Sequence, residues 1–96
     1  MNREFKIKNK ESFDEEIEGN LEISNLIVNT ILDNINTTKK HIYALSIILE
    51  DTGEGYDFTI NRDSFRDTLN KNLYIQERYE QYEVCNKILK ALEKLN

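Results

Sequence analysis

The spacing of apolar positions changes repeatedly along the chain, and each change marks an element. Residues 3–8 alternate, so Phe5 and Ile7 share one face of a short strand. From Ser12 the period lengthens, and Phe13, Ile17 and Leu21 recur at every fourth position, the repeat of a helix face. Ser12-Phe13-Asp14-Glu15 has the form of a capping box, and the acids at 14, 15 and 16 suit the positive end of a helix dipole. Gly19-Asn20 interrupts the pattern and Ser24 is placed to cap a second helix. Leu26, Ile27, Val28, Ile31, Leu32 and Ile35 then form a strong apolar stripe. The spacing predicts helix over 12–18 and 24–37, broken at Gly19 or continuous through it. The competing reading carries a strand through Leu21-Glu22-Ile23.

Residues 41–50 are almost unbroken apolar, which suits a buried strand or a buried helix. The neighbouring residues decide between them. Residues 51–55, Asp-Thr-Gly-Glu-Gly, form a turn cluster, and Tyr56-Asp57-Phe58-Thr59-Ile60 alternates with period two. Two β-rich runs around a glycine-containing loop read as a hairpin. Tyr56, Phe58 and Ile60 share a face, and a strand over 41–50 is expected to be covered on both faces.

From Asp63 the helical period returns. Ser64-Phe65-Arg66-Asp67 is a near-match to the capping box, Phe65, Leu69 and Leu73 step by four, and no Gly or Pro interrupts 64–95. One helix of about 32 residues would be roughly 48 Å long. A domain of this size has a radius of gyration of about 13 Å, so such a helix would overhang it and its exposed stripe would demand a second chain. Two antiparallel helices with a turn near 78–81 fit better. Leu69 and Leu73, then Tyr82-Glu83-Val84-Cys85, Ile88 and Leu92, resemble the UVR motif, the short helical hairpin found in the nucleotide-excision repair proteins UvrB and UvrC. The resemblance covers about a quarter of the chain and implies a helical hairpin of the kind used for protein–protein contact. The chain departs from the motif at Leu89-Lys90, where the family shows an Arg-Asp pair. The fold class expected from these elements is α+β in a single small domain: an N-terminal helix or helices, a central antiparallel β-hairpin and a C-terminal helical hairpin. The alternative is a mostly α chain with one long C-terminal helix.

Composition narrows the function. The 96 residues carry 13 Lys+Arg against 18 Asp+Glu, a formal net charge of −5. That balance argues against direct nucleic-acid binding, in which Lys and Arg replace phosphate counterions. One Cys excludes an intramolecular disulfide framework and a multi-Cys zinc site. No apolar run approaches the roughly 20 residues that span a membrane, and the charged N-terminus lacks a signal-peptide core. The expected compartment is the cytoplasm, with Cys85 reduced. Asn, Ile and Lys supply 33 residues, whose codons are AT-rich, pointing to an AT-rich bacterium or its mobile elements as the source.

Catalysis needs a positioned nucleophile, acid or base. His41, the only His, stands at a strand start and reads as a surface residue. Cys85 falls within the apolar stripe of the last helix, with Glu80 and Glu83 opposing thiolate formation, and reads as structural. Glu15/Glu16 and Glu50/Asp51 are paired carboxylates with no sign of the unlike environments that acid–base chemistry requires. No catalytic residue, metal ligand or cofactor is assigned.

Charge placement is more informative. Residues 11–22 hold Glu11, Asp14, Glu15, Glu16, Glu18 and Glu22, and residues 50–57 hold Glu50, Asp51, Glu54 and Asp57, with no Lys or Arg in either segment. These ten acids leave a body with a net positive charge. If the segments converge, they form an acidic face able to steer the protein to a basic surface. Tyr74, Tyr79 and Tyr82 form a second candidate surface, since tyrosines among charges serve as interface anchors. The sequence reads as a small acidic non-catalytic protein that inhibits or sequesters a macromolecular partner, of the phage anti-defence, antitoxin or immunity type. Partner-binding residues would be Asp14, Glu15, Glu16, Glu18, Glu50, Asp51, Glu54, Asp57, Tyr74, Tyr79 and Tyr82. The alternatives are an oligomeric structural or adaptor protein that associates with copies of itself, a homodimer among the states open to it, through its C-terminal helices, and a small-ligand-binding protein with a site at an oligomer interface.

Overall fold

A computed structural model describes residues 3–95. The chain runs β1 (Glu4–Ile7), a 3-10 turn (Lys10–Ser12), α1 (Phe13–Glu16), α2 (Leu21–Asn34), β2 (His41–Leu49), β3 (Gly55–Asn61), a second 3-10 turn (Arg62–Ser64), α3 (Phe65–Arg78) and α4 (Tyr82–Lys94). The class is α+β. The strands form one sheet in the order β1-β2-β3, with β1 parallel and β3 antiparallel to β2. The expected hairpin at 41–60 is present, as is the helical hairpin at the C-terminus.

Neither of the first two helices receives the serine capping bond expected of it. Ser12 stands at the N-cap position of α1 but its side chain makes no capping bond; Asn9 caps the preceding 3-10 turn by accepting the Ser12 amide at 3.0 Å, and only Phe13–Glu16 closes as α-helix. Gly19 takes φ +73°, a left-handed conformation that ends this segment. Asn20, not Ser24, caps α2 by accepting the Ile23 amide at 3.0 Å, so the helix starts at Leu21. Ser24 is buried inside α2, where its hydroxyl accepts a hydrogen bond from the Gln76 side chain at 3.0 Å. Asparagine competes at least as well as serine for the N-cap.

The long apolar run in β2 has a different cause from burial on both faces. Tyr43 pairs with Thr59 and Leu45 with Phe58, so Ala44 is an extra residue, a β-bulge. The bulge shifts the side-chain phase by one. Ile42 before it, and Leu45, Ile47 and Leu49 after it, therefore all point to the same helix-covered face and are buried. On the other face Tyr43 is exposed and Ile48 half-buried. Ser46 there is screened by hydrogen bonds at 2.6 Å to the Tyr43 hydroxyl and the Asp57 carboxylate. Arg3 secures the bulge, its guanidinium donating to the Ala44 carbonyl at 2.7 Å and to Thr30 of α2 at 2.9 Å.

Phe5 and Ile7 pair with Ile47 and Leu49, so all four share the helix-covered face. Ile7, Val28, Ile31, Ile47, Phe65, Leu69 and Ile88 form the centre of the core. α3 lies beside α2, and α4 folds back on α3. The turn between α3 and α4 is a Schellman motif: the Gln81 amide donates to the Gln76 carbonyl at 3.0 Å and the Glu80 amide to Glu77 at 3.0 Å. Glu80 occupies the left-handed position with φ 57°, where glycine is usual. Glu80→Gly is expected to stabilise the protein by about 1 kcal/mol, read as a higher urea midpoint at unchanged slope.

Candidate partner-binding surface

Because β1 and β2 run parallel, both strands exit at the same end of the sheet, and each leads into an acidic segment. Backbone bonds tie the two exits together: the Glu50 amide donates to the Ile7 carbonyl at 2.9 Å, and the Asp51 amide to Lys8 at 3.2 Å. The Lys8 amide in turn donates to the Glu16 carboxylate at 3.3 Å. The Phe13 ring stacks on Phe58 with centroids 6.0 Å apart, which seats α1 against β3. Asp14, Glu15 and Glu16 on α1 and Glu50, Asp51 and Glu54 on the β2–β3 turn therefore belong to one end of the molecule. Lys8 and Lys10 stand between them, so the face is acidic but not unbroken.

Two of the eight candidate acids point elsewhere. Glu18 lines the groove between α2 and α3, beside Lys71 and Arg78. Asp57 lies on the open face of the sheet, bound to Ser46. Glu54 accepts a hydrogen bond from the Tyr56 hydroxyl at 3.1 Å, and this carboxylate raises the Tyr56 phenol above its ordinary range.

The candidate tyrosines do not form one patch. Tyr79 donates from its hydroxyl to the Gly19 carbonyl at 3.2 Å, anchoring the end of α3 to the loop before α2. Tyr74 flanks the α2–α3 groove, whereas Tyr82 is the first residue of α4. Tyr74 and Tyr82 are the most exposed, at 66% and 63%.

An apolar feature goes beyond the sequence reading. Phe58 separates two clefts on the helix-covered side of the sheet. One, of about 360 Å³, is lined by Ile7, Phe13, Ile47 and Tyr56. The other, of about 200 Å³, is lined by Ile17, Ile27, Leu45 and Ile60. The alternation of Tyr56, Phe58 and Ile60 carried the signal for a shared face. No local pattern could show that the helices stop short of covering it.

His41 hydrogen-bonds Asn61, its cross-strand partner, at the opposite end of the sheet from the acidic turn. Cys85 is buried in α4. Burial, followed by the negative charge of Glu77, raises its thiol pKa, so Glu77 is the charge that opposes ionisation rather than Glu80 or Glu83. Among the described residues no group of three or more His, Cys, Asp or Glu could hold a metal ion, and no helix is long and apolar enough to cross a membrane.

No family model, curated protein or solved structure matches the chain. The likeness of residues 69–95 to the UVR motif is thus confined to a short pattern and its helical hairpin.

Proposed function

We propose that this is a small non-catalytic binding protein that sequesters or inhibits a macromolecular partner in the cytoplasm. It would dock its acidic sheet end on a basic surface of that partner. The supporting observation is the pairing of the two strand exits through Glu50–Ile7 and Asp51–Lys8, which brings both acidic segments to one end. Carboxylates gathered on a rigid sheet end raise the rate of encounter with a positive surface and fix its orientation. Phage anti-defence proteins, antitoxins and immunity proteins are molecules of this kind.

Asp14, Glu15, Glu50 and Asp51 suit the test, because they are exposed and their carboxylates carry no hydrogen bond among the described residues. The fourfold variant Asp14→Asn, Glu15→Gln, Glu50→Gln, Asp51→Asn is expected to keep the wild-type unfolding curve. Its association with a partner captured from the native host is expected to slow by roughly tenfold or more at low salt. A partner bound at the same rate by both proteins at low salt would sink the proposal.

A further inference from the structure

β3 is an edge strand whose protection is limited to one charge, Asp57. Natural sheets blunt their edges with charged side chains (Lys above all), Pro, bulges or very short strands. β1, at the other edge, has four residues, two of them charged. β3 has seven residues and contains neither Lys, Arg nor Pro, and the bulge lies in β2 rather than in β3. Its apolar face is also exposed, with Tyr56 at 42% and Phe58 at 39%.

The hydrogen-bond phase shows which groups face outward. The Ser46 amide donates to Arg3, and the Glu50 amide to Ile7, so even-numbered residues in this part of β2 bond to β1. Leu49 bonds instead to Glu54 across the turn. Leu45–Phe58 and Ile47–Tyr56 are thus the hydrogen-bonded pairs. The even residues of β3 spend their amides and carbonyls inward. Gly55, Asp57, Thr59 and Asn61 direct theirs to the open edge.

We infer that this edge pairs with β3 of a second copy of the chain, antiparallel about a twofold axis through Phe58. Three observations select that occupant and register. First, antiparallel pairing keeps side chains on their own face, so the axis must pass through a residue position. Centring on Asp57 would set the two Asp57 carboxylates directly opposite each other, which is unfavourable. Second, centring on Phe58 pairs all seven residues, whereas centring on Thr59 pairs only 57–61. Third, the Phe58 register is complementary in charge and shape. Asp57 meets Thr59, and the Glu54 end of each strand meets the Arg62 end of the other. Phe58 meets Phe58 as a non-hydrogen-bonded pair, the closer of the two pair types. Tyr56 meets Ile60, so the cleft beside Tyr56 in one copy continues into the cleft beside Ile60 in the other. The product is a six-stranded sheet with a continuous apolar face and with its two acidic turns at opposite ends.

Sedimentation equilibrium of the full chain over a concentration series tests this, with twice the chain mass expected at the upper end. Thr59 is exposed, so its variants should fold, which circular dichroism would show. Thr59→Asp places a carboxylate opposite Asp57 at two symmetric positions and is expected to weaken dimerisation about threefold to thirtyfold. Thr59→Lys places an ammonium there and is expected to tighten it over a similar range. In hydrogen exchange the Asp57 and Thr59 amides should gain protection as concentration rises, while Tyr56 and Phe58 are protected throughout. A monomer at every concentration overturns the inference. So does a dimer in which the Asp57 and Thr59 amides stay open, as would occur if it formed through Tyr82 and Leu89 of α4. Equal effects of Thr59→Asp and Thr59→Lys would overturn the register.

Discussion

Phe65→Ala is expected to destabilise the protein by about 3–5 kcal/mol, the range for deleting a fully buried aromatic ring. Phe65 is 0% exposed and opens α3 at the point where the chain leaves the sheet. A small domain holds roughly 5–15 kcal/mol in all, so the loss takes a large share of that margin. The site has little freedom to collapse. The ring is covered on one side by the Arg62 guanidinium, 4.8 Å from its centroid, and packs into the core shared by α2 and the sheet on the other. Urea unfolding followed by far-ultraviolet circular dichroism would show the loss as a lower midpoint at similar slope. A shift below about 1 kcal/mol would mean that the α3 entrance is loosely packed.

Arg62→Ala is expected to cost about 2–3 kcal/mol, because the side chain ends a helix to which it does not belong. Its guanidinium donates to the carbonyls of Asn34 at 2.8 Å and Ile35 at 3.3 Å, at the C-terminus of α2. It also donates to the carbonyl of Lys39 at 2.7 Å and the hydroxyl of Thr37 at 2.9 Å. One planar fork thus satisfies acceptors on the helix end and on the loop that leads to β2. Arg62→Lys should recover less than half of the loss, since an ammonium lacks that fork. The double variant Phe65→Ala, Arg62→Ala should lose about 0.5–1 kcal/mol less than the sum of the single losses, because the cation–π contact is shared. Additive losses would separate the helix-capping role of Arg62 from its contact with the ring.

The sequence shows these two residues unequally. Phe65 lies on the same four-residue step as Leu69 and Leu73, and periodicity marks it as core. Arg62 carries no local signal, since its acceptors lie 23 to 28 residues away. The same contrast holds elsewhere. The β2–β3 hairpin was legible because turn residues and alternation agree. The break between α3 and α4 shows only in the length of the uninterrupted run, because Glu80 occupies the position that a glycine would have announced. The bulge at Ala44 was hidden because one inserted residue turns two phased stripes into an apparently continuous apolar run. At the acidic end the charged segments were readable, but their meeting was not. It depends on the parallel pairing of β1 with β2, and parallel neighbours leave no turn in the sequence to betray them.

That parallel pairing also orders events in time. Glu4 finds its partner Ser46 only 42 residues later, whereas β3 follows β2 across a short turn. Closing the longer loop carries the larger entropic cost, so the hairpin and the C-terminal helices should form before β1 docks. During synthesis at roughly 5–20 residues per second, β1 would wait about 2–8 s for Ser46 to be made. Its alternating charges, Glu4, Lys6 and Lys8, suit a segment that must stay solvated through that interval.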